Sequence, residues 1–240
     1  MKKLTFLLLS GMLVMTSFGC GSSGSSVNPS PTPAAANDNS YKGVYKGVLS
    51  GSTGHFYIDA YNTDATKLIL SLTFTGVTIA SLEGTQTTDS STGDYIYTFS
   101  SDGCVFIFEV TPTGSVVSSG TSLTCTSHSG TITVNADKAT STTDVSVWEG
   151  TNTDACGSGV WNMIMKGGIV AGTHVETTNT CTPGQLSTDE ITGTVTGNSV
   201  NCTADTGTVQ VTGTISGTTV SGVCTGGSTS NCKWSGSQTL

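Results

Sequence analysis

Arginine is absent from the 240 residues, and every basic side chain is a lysine, at positions 2, 3, 42, 46, 67, 138, 166 and 233. With no arginine forks and no lysine cluster there is no cationic footprint for phosphates or base edges, which excludes nucleic-acid binding. Charge of either sign is scarce, at 10% of the chain, and it leans negative. After residue 19, six lysines face sixteen carboxylates, a formal charge of −10. Phosphate-rich substrates and anionic lipid surfaces are therefore poor partners. Past the N-terminal segment no run is long and apolar enough for a membrane-spanning helix, and helical periodicity is missing.

Recognisable catalytic and metal motifs are missing too. No serine carries glycine at both −2 and +2, so there is no nucleophile elbow. C-x-x-C, C-x-x-C-H and H-E-x-x-H do not occur, and neither a metal nor a cofactor is expected. His55, His128 and His174 lie in Ser/Thr/Gly-rich segments without a partner at catalytic spacing, and read as surface or structural residues. Asp59, Asn62 and Asp64 (DAYNTD) offer hard oxygens but not the EF-hand spacing, and read as a polar loop.

What is present begins with an export signal. Lys2 and Lys3 form the basic start, residues 4–15 (LTFLLLSGMLVM) the apolar stretch, and small residues follow. The stretch TSFGCGSSGSS resembles the lipobox of bacterial lipoproteins, in which Gly or Ala precedes a cysteine that is diacylated and becomes the new N-terminus. Gly19-Cys20 fits that pattern; Ser17 replaces the favoured leucine, and Phe18 is also atypical. The resemblance implies lipidation at Cys20 and attachment to the membrane through that lipid. Gly21, in place of a retention aspartate, implies the outer membrane where the enteric sorting rule holds. An ordinary signal peptidase would accept the same small-x-small site, Ser17-Phe18-Gly19. Residues 20–40, rich in Gly, Ser, Pro and Ala, read as a flexible tether, ~25 Å long on average and ~65–70 Å when stretched.

From residue 41 onward, short alternating runs are punctuated by turn dipeptides, the pattern of an all-β antiparallel meander closed as a barrel or sandwich. Asp102-Gly103 sets Phe99 opposite Phe106 and Tyr97 opposite Phe108. Gly197-Asn198 sets Val195 opposite Val200 and Gly193 opposite Cys202. A turn at Ser216-Gly217 would set Val211 opposite Gly222 and Val209 opposite Cys224. Gly167-Gly168 is a further bend. VYKGVLSG from Val44 is similar to VWEGTNTD from Val147, and the Cys104/Cys125 spacing nearly repeats in Cys202/Cys224, which suggests two similar halves, 41–138 and 143–240. Convergence of Thr/Gly-rich strands would produce the same likeness. Over about six residues, the aromatic-x-Gly of each opening strand resembles the first strand of avidins and lipocalins; it is too short to imply a site.

Exported cysteines read as disulfides, because the compartment is oxidising. Cys104 and Cys125 fall opposite each other, as nearly do Cys156 and Cys181, and cross-strand neighbours lie within disulfide reach. Cys224 and Cys232 face across a short loop. The repeat favours Cys202–Cys224 instead, but an intervening strand separates those two by ~10 Å. Cys202 is therefore left unpaired, facing the core.

One face of the Asp102-Gly103 hairpin carries Tyr95, Tyr97, Phe99, Phe106 and Phe108. Exposed, this stripe would stack on a glycan or another flat ligand; buried, it is core. Two functions follow. The favoured one is a lipid-anchored envelope protein presenting a β-rich binding or structural module for a glycan or envelope protein. The other is an exported hydrolase using carboxylates such as Asp59, Glu109 or Glu149 as an acid–base pair.

Overall fold

A computed structural model describes residues 39–50, 54–74, 77–101, 103–126, 132–141, 143–227 and 229–240. Cys20, the tether through residue 38, Asp102 and His128 lie outside the described residues. The described chain is all-β and antiparallel, and its strands fall into two groups.

The first group opens with β1 (Gly43–Ser50), β2 (Gly54–Ala60), β3 (Leu68–Phe74) and β4 (Val77–Glu83). It continues through β5 (Thr85–Thr88), β6 (Tyr95–Ser101), β7 (Cys104–Val110), β8 (Ser122–Cys125) and β9 (Thr133–Ala139). Strand β9 returns to pair with β1, so one sheet reads β4-β3-β2-β1-β9 and the other β5-β6-β7-β8. The chain crosses from one sheet to the other at Gly84, where a Cβ would lie 2.5 Å from the Phe99 ring.

The aromatic stripe is the filling between these sheets. Tyr97, Phe99, Phe106 and Phe108 are at most 2% exposed. Phe106 meets Phe56 edge-on at 4.9 Å, and Phe108 meets Tyr45 at 5.2 Å. Tyr95, half-buried, stacks on Tyr41 at 3.7 Å. As a ligand platform the stripe is therefore corrected to core: the five rings carry more apolar area than Ile96, Val105 and Ile107 opposite, so burying them gains more. Val105 is left 40% exposed.

The second group comprises β10 (Val145–Thr153), β11 (Gly157–Lys166), β12 (Ile169–Asn179) and β13 (Thr188–Thr196), then β14 (Ser199–Ala204), β15 (Val209–Ser216), β16 (Thr219–Gly226) and β17 (Thr229–Gln238). Each pairs with the next and β17 pairs with β10, closing an eight-stranded barrel. Strand β15 displays the rule: Val209, Val211, Gly213 and Ile215 point inward, while Gln210, Thr212, Thr214 and Ser216 point out. Threonine makes a polar, uncharged outer face that still suits strands.

The hairpin registers at Phe99/Phe106, Tyr97/Phe108, Val195/Val200 and Gly193/Cys202 are as expected. The last one differs. Val211 faces Cys224 and Val209 faces Gly226, so the turn is Gly217-Thr218. Gly217 has φ +61° and Thr218 is not among the positive-φ residues. A two-residue turn of that form needs glycine first, which moves the turn one residue on and the register by two.

The aromatic-x-Gly signal has the same local task in both groups. Gly47 pairs with Phe56 and Gly150 with Trp161, and in each case a Cβ would fall 2.4–2.5 Å from the neighbour's ring. Glycine lets a cross-strand aromatic lie flat on the backbone.

The groups meet where β1 packs on the outer face of β10–β12. Val44, Val48 and Ala139 bury against Val145, Val147 and Ile164. Asn162, 0% exposed, donates from Nδ2 to the carbonyls of Leu49 (3.1 Å) and Gly54 (3.0 Å). Lys46 Nζ donates to Val145 O at 2.9 Å, and burial lowers its pKa. Lys166 Nζ reaches Asp137 and the Lys138 carbonyl.

Candidate functional site

Eight strands enclose a barrel interior just wide enough for side chains or for one small ligand. Here side chains fill one end and a cavity of about 430 Å³ occupies the other. Trp161 and Trp234, edge-on at 5.4 Å, divide the two. Both indoles are seated on glycines: a Cβ at Gly150 or Gly236 would strike Trp161, and one at Gly213 or Gly222 would strike Trp234. Their Nε1 groups donate to Thr151 O and Thr212 O, both at 3.1 Å, which locks the rings in place. Met163, Ile191 and Val211 complete the apolar wall.

The polar part of the lining comes mainly from β12, β13 and the loop that joins them. The pairing of these strands sets His174 opposite Asp189, with Nδ1 3.2 Å from Asp189 Oδ2. Ser187 Oγ donates to the same oxygen at 2.9 Å. The His174 hydrogen bond, then that of Ser187, holds the Asp189 carboxyl below the usual carboxylate range. An ionised carboxylate only accepts, so Nδ1 donates to it and Nε2 points away from Asp189. That Nε2 and Asn152 Oδ1 are both buried without a hydrogen-bond partner. They lie 2.2 and 2.6 Å from the point a Gly159 Cβ would occupy, so they share one corner. An unpaired buried polar atom costs about 1–3 kcal/mol, and in a native fold it calls for an explanation.

A bulge shapes the mouth. Between Ser158 and Gly159 the β11–β12 register shifts, leaving Thr177 extra and turning Asn179 inward beside Glu176. Asn179 then holds the 180–187 loop: its Oδ1 accepts from Thr182 N (2.8 Å) and its Nδ2 donates to Gln185 O (3.1 Å). Glu176 Oε2 accepts from Ser187 N at 3.1 Å, and Cys156–Cys181 fastens the loop to the start of β11. Asp154, Glu176, Asp189 and Asp205 all line the cavity, and among the described residues no lysine does.

The predicted chemistry lies elsewhere. Glu149 is paired with His55 at 2.8 Å in the partly buried seam between the two groups. Asp59 Oδ1 accepts from the backbone N–H of Asn62 and Thr63, and Asp64 from Thr66, which makes DAYNTD a self-capped turn. Asp59, Glu109 and Glu149 are not among the cavity lining. Of the two described histidines, His174 is the one at the site. Its partner, Asp189, lies across a long loop, and only the pairing register of β12 and β13 signals it.

The cysteines pair as Cys104–Cys125, Cys156–Cys181 and Cys224–Cys232. Cys202 is free and buried, and burial pushes its thiol up to about 11. Alkylation at pH 8 should leave Cys202 unmodified in the native protein and label it rapidly in denaturant. Rapid native labelling would mean the barrel core is open.

Asp189 gives a pH signature. Its folded pKa lies below the unfolded value near 3.8, so its contribution is complete above that value and is lost as pH falls through the folded one. The melting-temperature gap between the protein and Asp189→Asn should close as pH falls from 5 toward 2. A gap still fully open at pH 2 would refute the pair.

The chain matches no protein-family model, no curated protein and no solved structure. Its fold and cavity define the class: a closed eight-stranded meander barrel with a ligand-sized polar mouth, joined to a β-sandwich.

Proposed function

We propose that this is an envelope protein, anchored in the outer membrane by a lipid on Cys20, whose barrel binds a small organic ligand. The observation that carries the reading is the cavity of about 430 Å³ walled by Trp161, Met163, Ile191, Val211 and Trp234, with an unpaired polar corner at His174 and Asn152. That combination, mostly apolar with a few convergent polar groups, is the usual make-up of a small-molecule site. A hydrolase reading is less well supported. Ser187 gives its hydroxyl to Asp189 and makes no contact with His174, so nucleophile and base are not coupled.

Thermal-shift screening of the intact chain in mild detergent tests the binding. A ligand at a hundredfold excess over its Kd adds about 2.7 kcal/mol, or roughly 5–10 °C for a chain of this size. Ala204 lines the cavity, and Ala204→Trp should abolish those shifts. Shifts of equal size in the variant would move binding out of the barrel. Mass spectrometry of the mature N-terminus should find diacylglyceryl on Cys20, and an unmodified cysteine would rule out the anchor.

A further inference from the structure

If the barrel cavity is a binding site, as proposed above, its lining narrows the ligand class. We infer that the ligand is a small organic cation: an ammonium group on a compact apolar or aromatic body, its N–H groups taken up at the His174–Asn152 corner and its charge balanced by the carboxylates of the mouth.

Three independent features converge on this chemistry. The first is the pair of orphaned acceptors. In its neutral form, with Nδ1–H given to Asp189, His174 offers Nε2 as a lone-pair acceptor, and Asn152 Oδ1 is another. Both are shielded from bulk water, so solvent does not satisfy them. Neither atom presents surface to the cavity as it stands, so a ligand nitrogen bearing two or three hydrogens reaches both only when the Asn152 amide and the His174 ring turn toward it. A ligand acceptor, such as a carboxylate or ether, would add a further lone pair to a corner that already has two.

The second feature is charge. Asp154 accepts from the backbone N–H of Cys156 and Gly157, Glu176 from Ser187 N and Asn179, and Asp205 from Thr208. Asp189 has His174 and Ser187. The donors to Asp154, Glu176 and Asp205 are neutral and orient those carboxylates without cancelling them, and the ion-paired lysine among the described residues, Lys166, stands at the junction of the two groups. A cation entering the mouth is attracted by all four, and an anion is repelled by all four.

The third feature is the wall. Trp161 lies opposite His174 and Trp234 opposite Asn152, so an ammonium at that corner and the apolar body beside it both meet indole.

Calorimetry on the intact chain in non-ionic detergent provides the test, with two matched probe series: phenethylamine, 2-phenylethanol and phenylacetate, and hexylamine, hexanol and hexanoate. In at least one series the amine should bind about tenfold or more tighter than the alcohol, with the carboxylate not binding. The preference should shrink in 0.5 M NaCl, since the mouth is open to solvent. It should also shrink to threefold or less in the double variant Glu176→Gln/Asp205→Asn. Asn152→Leu should weaken amine and alcohol alike, since both donate there. An alcohol that binds as tightly as its amine overturns the cation preference and leaves the binding reading intact. Failure of both amines also overturns it, and a neutral hit from the thermal screen that Ala204→Trp abolishes would then preserve the barrel reading on its own.

Discussion

Trp161→Ala is expected to destabilise the barrel by about 3–5 kcal/mol, a fall in melting temperature of roughly 10 °C or more. The indole is 3% exposed, packs edge-on against Trp234 and rests on Gly150 and Gly236. Nothing nearby can refill the space, because those two neighbours have no side chains to move. The loss therefore includes a cavity as well as lost transfer energy. Trp161→Phe keeps a ring over the glycines and should cost less than half as much. Denaturant unfolding followed by the remaining tryptophans would measure both. A cost under ~1 kcal/mol for the alanine variant would mean that the indole pair does not fill the barrel.

The second large effect is at the seam between the groups. Asn162→Leu keeps the volume but removes the Nδ2 donor that serves Leu49 O and Gly54 O from a fully buried position. Two lost hydrogen bonds with their acceptors still buried should cost about 2–4 kcal/mol. The cost should fall on the coupling between the groups more than on either one, because Asn162 lies in the seam with the Val44/Val145 contact, the His55–Glu149 pair and the Lys46 and Lys166 hydrogen bonds. Scanning calorimetry should show one transition in the parent resolving toward two in the variant. If the variant melts as one transition at an unchanged temperature, Asn162 does not join them.

Much of the architecture was legible before any coordinates. Turn dipeptides announce hairpins, and hairpin geometry sets register, which is why Cys104 meets Cys125 and Cys224 meets Cys232 as expected. The Ser216-Gly217 turn misled because Gly is compatible with either central position, and only the backbone sign at Thr218 separates them. The aromatic stripe was legible as a stripe. Which of its two apolar faces turned inward depended on a second sheet, β4-β3-β2-β1-β9, whose packing no local pattern encodes.

The site was the least legible part. Asn152, Trp161, His174, Asp189 and Trp234 are spread over more than eighty residues and belong to strands β10, β11, β12, β13 and β17. No spacing motif can link them, because closure of the barrel brings them together. The sequence by itself determined an all-β chain, its hairpins and its disulfide partners. Those properties depend on residues close along the chain or on composition. Closure of β17 onto β10 and the direction of the aromatic stripe were decided by tertiary structure alone. They depend on contacts between strands distant in sequence, where the gain from burying one face over another is summed over the whole core.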